Sequence, residues 1–176
     1  MRPAEPPDGA AIAAVKWRAW RRAYRGILPD AFLDDLAVMP PPGYWVQRAT
    51  AATPETDGHW CFVAGPRGVV LGMADVVPAR DEDLDAGRTA EVRMLYVDPS
   101  AQRRGVGGAL LDAATGHAVE AGSEGLVLWV AEANAGARAF YEAAGWRPDG
   151  AGKRYQFTPE VAMDEVRYRL GPVAPP

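Results

Sequence analysis

The run Gln102-Arg103-Arg104-Gly105-Val106-Gly107-Gly108-Ala109-Leu110-Leu111 carries the residue types and spacing best suited to holding an anion. It follows an apolar stretch, Val92 to Val97, closed by Asp98-Pro99, and opens a helix-compatible run from Ala109 to Glu120. Strand, glycine-rich turn and helix in that order gather unpaired backbone N–H groups and the positive end of a helix at one spot. Such a spot suits a phosphate or pyrophosphate. Glycine lets main chain approach a ligand with no Cβ in the way. Arg103 and Arg104 add charge where the anion would sit. A Walker A loop is excluded, because no Gly-Lys-Ser/Thr follows the second glycine. A dinucleotide fingerprint is excluded as well, because Leu110 stands where its third glycine belongs. A plain glycine-rich turn is the bland alternative.

Other reactive side chains are few. Cys61 lies in the apolar run Trp60-Cys61-Phe62-Val63-Ala64 and reads as a small buried thiol. His117 falls on the helix behind the loop and reads as packing; His59 precedes a strand and reads as exposed. No cluster has metal-ligand spacing. The acidic stretch Asp81-Glu82-Asp83-Leu84-Asp85 reads as a solvated loop, with a lure for a cationic amine as the alternative.

The 176 residues fit one domain, and 48% hydrophobic content is enough for a real core. We expect that domain to span 1–170, with a disordered tail at 171–176. A net charge of −4 argues against a general pull toward nucleic acid or anionic membrane. A single cysteine forbids an internal disulfide and suits a reducing compartment. No apolar run approaches the ~20 residues of a spanning helix, and Met1 to Pro7 lacks a signal-peptide core. A cytoplasmic protein is expected.

The elements that must position the loop follow in order. Asp8 to Arg25 predicts a first helix, capped by Asp8, with Ile12, Val15, Ala19 and Ala23 as its inward stripe. Its arginines (Arg18, Arg21, Arg22, Arg25) and aromatics (Trp17, Trp20, Tyr24) read as a solvated face and packing rather than a nucleic-acid surface. Ala31 to Ala37 predicts a short helix with Phe32, Leu33 and Leu36 inward. Pro40 to Gly43 predicts a stiff break, Tyr44 to Arg48 a helical turn, and Ala49 to Gly58 a flexible connection. Trp60–Ala64 and Val69–Val77 predict a hairpin, and Ala90–Val97 a third strand. After the loop, Val106, Leu110, Ala113 and His117 share one helix face. Gly125–Ala131 predicts a buried strand and Asn134 the cap of a further helix. Lys153–Phe157 and Asp164–Leu170 predict two closing strands.

Glu91 to Gly145 resembles the core of the GNAT N-acetyltransferases. Gln102-Arg103-Arg104-Gly105-Val106-Gly107 matches every fixed position of that family's Gln/Arg-x-x-Gly-x-Gly/Ala loop. Leu95-Tyr96-Val97-Asp98-Pro99 resembles its strand end before the loop. Asn134, Ala139, Phe140-Tyr141 and Ala144-Gly145-Trp146 resemble its Asn…Phe-Tyr-Glu…Gly-Phe segment, with Trp for the usual Phe. Trp20 to Pro29 also resembles many bacterial members.

The resemblance implies an α/β (α+β) fold: a mixed, mostly antiparallel central sheet of six to seven strands flanked by about four helices. It implies an acyltransferase with acetyl-CoA as donor, no metal, and a primary amine as acceptor. Main chain at Leu95, Tyr96 and Val97 would run beside the pantetheine. The turn formed by Gln102, Arg103, Arg104, Gly105, Val106, Gly107, Gly108 and Ala109 would hold the pyrophosphate. Asn134 would bond the pantetheine arm, and Tyr141 would lie against the donor. The strand ending in Val97 would splay from the one ending in Ala131, leaving a slot for the thioester.

An alkylammonium has a pKa near ~10.4, so its proton must be removed before it can attack. Glu91, thirteen residues before Arg104, matches the base glutamate of the family's histone-acetylating members. Tyr141 matches the family's acid tyrosine, serving the leaving thiolate. Trp20, Tyr24, Glu91 and Trp129 are candidate pocket walls. The acceptor reads as a small molecule, with protein N-termini or lysines and a non-catalytic acyl-CoA-binding module as alternatives. The family leaves room for a homodimer.

Overall fold

A computed structural model describes residues 1–35, 42–51 and 59–171. Its strands are β1 (Arg2–Pro3), β2 (Trp60–Ala64), β3 (Gly72–Pro78), β4 (Thr89–Val97), β5 (Gly125–Ala131), β6 (Arg147–Gln156) and β7 (Ala162–Leu170). Among the described residues, five helices accompany them: α1 (Gly9–Tyr24), α2 (Asp30–Asp34), α3 (Pro42–Ala51), α4 (Val106–Glu120) and α5 (Ala135–Ala143). The strands form one mixed sheet in the order β1-β2-β3-β4-β5-β7-β6. Every neighbouring pair is antiparallel except β4 with β5.

One face packs against α4 and α5, around Val76, Val92, Leu110, Leu126, Leu128, Tyr141 and Tyr168. The other face meets α1 and α3 around Ile12, Val15, Trp45, Val63 and Met73. Beside these, α1 and α2 cover Ala131 and Met163 with Trp20, Phe32 and Leu33.

Ile12, Val15 and Ala19 are the buried stripe of α1, as their spacing requires, while Ala23 is half-buried. Asp8 does not cap α1 with its side chain. Its carboxylate turns back to Arg2 at 2.6 and 2.7 Å and to the Glu5 N–H at 2.8 Å. A full ion pair outcompetes a single cap bond. Two arginines of α1 and the one that follows it are paired too: Arg18 with Asp98, Arg21 with Asp34, Arg25 with Asp30 and Asp34.

The proline-rich break is shorter than its composition suggests. Pro42 and Gly43 already belong to α3, and proline is preorganised for the first helical turn. The helix then runs through the expected turn at 44–48 to Ala51. Leu36 and Ala37, Pro40 and Pro41, the connection at 52–58 and the tail at 172–176 lie outside the described residues.

Two irregularities prepare the site. Asp75 pairs with Met94 and Val76 with Val92, so Arg93 is an extra residue in β4. A bulge of one residue reverses the facing of everything after it. Ala90 and Val92 face α4, and so do Leu95 and Val97, while Met94 and Tyr96 turn toward α1. Tyr96 thus joins Glu91 on the α1 face. The second irregularity is a split. β4 and β5 pair only at Thr89, Ala90 and Glu91 against Gly125, Leu126 and Val127. Beyond that point β4 follows β3 to Val97 and β5 follows β7 to Ala131, and a slot opens between them.

Candidate active site

At one mouth of the slot stands the glycine-rich turn. Arg103 and Gly105 take left-handed backbone angles, φ 57° and 79°. For arginine this costs ~1–2 kcal/mol, and such strain marks functional loops. α4 begins at Val106, three residues earlier than the sequence suggests, because Gly105 can supply the left-handed entry. The N–H groups of Val106, Gly107 and Gly108 therefore form the unpaired first turn of a four-turn helix. Ala109 N–H is the first to bond back, to the Gly105 carbonyl at 3.0 Å. Gln102, Arg103, Arg104, Gly105 and Ala109 are exposed; Val106, Gly107 and Gly108 are half-buried. The buried stripe of α4 is Leu110, Leu111, Ala114 and Ala118, one step round from the face expected.

Asp98 fixes the approach to this turn. Its carboxylate accepts from the Ser100 N–H and hydroxyl at 3.0 and 2.6 Å and from Arg18 Nε at 2.7 Å. Burial alone would raise its pKa, but Ser100 and Arg18 more than offset that and hold it below the usual carboxylate range.

The exposed edge of β4 follows from one hydrogen bond. The Asp98 N–H donates to the Leu71 carbonyl at 2.8 Å. In an antiparallel pair the bonded residues alternate. Tyr96 therefore bonds toward β3, and the N–H and C=O groups of Leu95 and Val97 point into the slot. The Val97 carbonyl also accepts from Gln102 Nε2 at 3.4 Å.

Tyrosines gather across the split. Tyr141, on α5, is 9% exposed and packs on Trp146 and Tyr168, with ring centroids 6.3 and 6.4 Å away. Burial, then the Tyr24 hydroxyl, push its pKa well above the ordinary phenol value. Tyr24 lies on α1, on the other side of the sheet, yet its hydroxyl is felt at Tyr141. Burial and then Glu165 push Tyr24 up to about 12. Tyr96 rises through burial, then through Tyr24, Tyr141 and Glu165. All three phenols are protonated at neutral pH. Asn134 caps α5, accepting from the Ala137 N–H at 3.1 Å.

Glu91 is 4% exposed. Both its oxygens are taken by Arg80, whose Nε and Nη2 each lie at 3.0 Å. Its partner is thus Arg80, on the loop between β3 and β4, while Arg93 pairs with Asp75 at 3.0 Å. Trp129 faces the same side. Its indole N–H donates to Asp81 at 3.0 Å, and Lys153 Nζ sits 3.9 Å above its ring. Trp20 anchors an aromatic wall with Tyr24, Phe32 and Phe157 at centroid distances of 5.5, 5.8 and 5.6 Å.

The acidic loop is neither solvated throughout nor a bare lure. Arg167, 5% exposed, binds Asp81 at 3.1 Å, Asp83 at 2.6 and 2.7 Å, and Asp149 at 2.7 Å. Sequence reasoning missed this network, and it missed Arg80 and Glu165. The available signal was a run of inward-parity charges, Glu165 and Arg167, in step with the apolar Met163.

His59 is not exposed but holds the fully buried Asp75 at 2.7 Å. His117 packs against Trp60, and burial lowers its pKa. Cys61 is buried. Among the described residues, no group of three or more His, Cys, Asp or Glu side chains is placed to hold a metal, and no helix is long and apolar enough to cross a membrane.

The overall fold is shared with solved proteins. The structure superimposes on PaiA N-acetyltransferase from Thermoplasma acidophilum in complex with coenzyme A with a TM-score of 0.75, covering 97% of this chain and 96% of that one at 16% identity. It superimposes on YncA from Salmonella typhimurium, solved with its cofactor acetyl-CoA, with a TM-score of 0.73, covering 98% and 93% at 21% identity. Those likenesses are of fold. Sequence carries the relationship further. A Mycobacterium tuberculosis protein named as a probable N-acetyltransferase is 32% identical over 176 residues, covering all of this chain and 95% of its relative. Residues 17–146 match the model of the acetyltransferase (GNAT) family. The chain belongs to the GNAT family of N-acetyltransferases and is an acyltransferase.

Proposed function

We propose that this chain transfers the acetyl group of acetyl-CoA to the primary amine of a small molecule, by direct attack within a ternary complex. The observation that carries this reading is the slot. Its β4 edge offers the main chain of Leu95 and the N–H of Val97, and its mouth offers the first turn of α4. Pantetheine can add to β4 like a strand, and the pyrophosphate can meet the N–H groups from Arg103 to Gly108. Asn134 keeps its side-chain N–H₂ for the pantetheine arm while its oxygen caps α5.

The reaction needs an N–H for the tetrahedral oxyanion, a proton acceptor for the amine and a donor for the thiolate. Leu95 and Val97 supply the N–H groups. Tyr141 supplies the donor, and its raised pKa defines how. A phenol far above 10 is fully protonated at pH 7 but gives its proton to a thiolate of pKa ~8.5 only uphill. Tyr141 therefore acts by hydrogen-bonding the departing sulfur, and water completes the transfer. Carboxylates line the acceptor side, Glu91 first among those the sequence marks. The aromatic wall of Trp20, Tyr24 and Phe157 restricts the approach there, which favours a small acceptor over a folded protein.

The test is release of CoA thiol from acetyl-CoA with a panel of amines. Tyr141→Phe should lower kcat about 10²-fold, with CoA affinity within about 2-fold of wild type. Turnover unaffected by Tyr141→Phe would refute the acid assignment.

A further inference from the structure

Glu165 stands on β7 at the open end of the slot. It lies opposite Ala131, the last residue of β5, and opposite Lys153 on β6. Pairing of β5 with β4 has already ended at Val127, so Ala131, the strand neighbour of Glu165, borders the slot, and Glu165 lies one strand beyond it. Its side chain is only 14% exposed. Among the described residues its one polar partner is Lys153, whose Nζ is 3.8 Å away and is also drawn over the Trp129 ring. Tyr96 on β4 and Tyr24 on α1 feel its charge, and it feels that of Glu91 on β4. With Glu165 on β7, these groups come from three separate elements.

The contrast with Glu91 is chemical. A base must present a free lone pair to the proton it takes. Glu91 would have to surrender one of two short bonds to Arg80. Glu165 is held loosely, at one oxygen, by a cation at the outer limit of ion pairing. Burial raises its pKa, Lys153 opposes that rise, and Glu91 adds to it. The result moves a carboxylate toward the pH at which a base works well.

We propose that Glu165, set between Tyr24, Tyr96 and Lys153 at the open end of the slot, is the base that deprotonates a cationic primary-amine acceptor. The assignment rests on the transferase reading above. One proton passes from the ammonium group to the Glu165 carboxylate. The freed nitrogen lone pair forms the N–C bond at the thioester carbonyl carbon. The C–S bond then breaks, and the thiolate leaves with its electron pair. The remaining extra proton on nitrogen is lost as the sulfur gains one. The products are the amide, the CoA thiol and one proton, which Glu165 returns to solvent. Glu91 with Arg80 is the fixed charge pair beside this centre.

The experiment compares pH–rate profiles of wild type, Glu165→Gln, Glu91→Gln and Lys153→Met on an alkylamine that the wild type acetylates. Glu165→Gln should lose kcat by about 10²- to 10⁴-fold and lose the acidic limb of the profile. Its rate should recover with an acceptor already unprotonated at pH 7, such as an arylamine, which a merely structural defect would not permit. Glu91→Gln should keep the limb. Lys153→Met should move it to higher pH, because the cation favouring ionised Glu165 is gone. An active wild type with an indifferent Glu165→Gln, limb intact, would overturn the assignment alone. A wild type inert toward every amine, yet binding CoA, would overturn the transferase reading and this base with it.

Discussion

At the α4 end of the slot, the groups that face the opening belong to the main chain: Leu95, Val97 and the turn from Arg103 to Gly108. At the other end they are side chains: Glu165, Lys153, Tyr24, Trp20 and Phe157. Backbone N–H groups are the same in every sequence, so they suit a ligand part that never varies, the pyrophosphate and pantetheine of CoA. Side chains from four different elements can change independently, so they suit the part that does vary, the acceptor. Their charges are also arranged differently. Asp98 at the donor end is stabilised by its neighbours, with its pKa held down. Glu165 at the acceptor end is destabilised as an anion, with its pKa pushed up. Catalytic groups are commonly held at some cost to the fold.

The largest effect should come from removing the acceptor-end clamp. Arg167→Ala leaves three carboxylates without their buried cation, which costs about 3 kcal/mol, or roughly 10 °C in Tm. Acceptor KM should rise with it, while CoA affinity measured calorimetrically stays unchanged. A matching loss of CoA affinity would show that the two ends are one unit.

The donor end is more sensitive to bulk than to charge. A Cβ on Gly107 would lie 3.5 Å from both Phe140 and Val97, an ordinary contact. Gly107→Ala should therefore change the CoA Kd less than about 2-fold, whereas Gly107→Leu should weaken it about 10-fold, near 1.4 kcal/mol. Unaltered binding by Gly107→Leu would remove the pyrophosphate from this turn.

The smallest and sharpest test is the sign of two pH dependences. A carboxyl with a lowered folded pKa stabilises above the unfolded value near ~3.9 and loses that contribution as pH falls through its folded value. Asp98→Asn should thus lower the urea midpoint at pH 7, and the deficit should shrink below about pH 4. A raised carboxyl does the reverse: protonation favours the fold. Glu165→Gln should leave the pH 7 midpoint unchanged or higher. Equal losses for both variants would erase the distinction between the ends.

Local chemistry was legible in the residues themselves. Gly105 and Gly107 between an apolar strand and a helical run specify a turn with free N–H groups, because each depends only on near neighbours. The alternations of β2 and β5, the stripe of α1 and the Asn134 cap are local in the same sense. Tertiary structure decided the rest. The Arg93 bulge exists only against Asp75, and it alone turns Tyr96 to the side of Glu91. Where β4 parts from β5 depends on what each strand meets on its other flank. Glu91 could be named from its position, but not its capture by Arg80; Glu165 could not be named at all, since its neighbours lie 12 to 141 residues away in the chain. The sequence alone determined the strand end, glycine turn and helix start that we propose hold the donor, because they form one stretch of backbone. Which groups meet the acceptor was left to strand register and burial, which bring together residues that the chain keeps far apart.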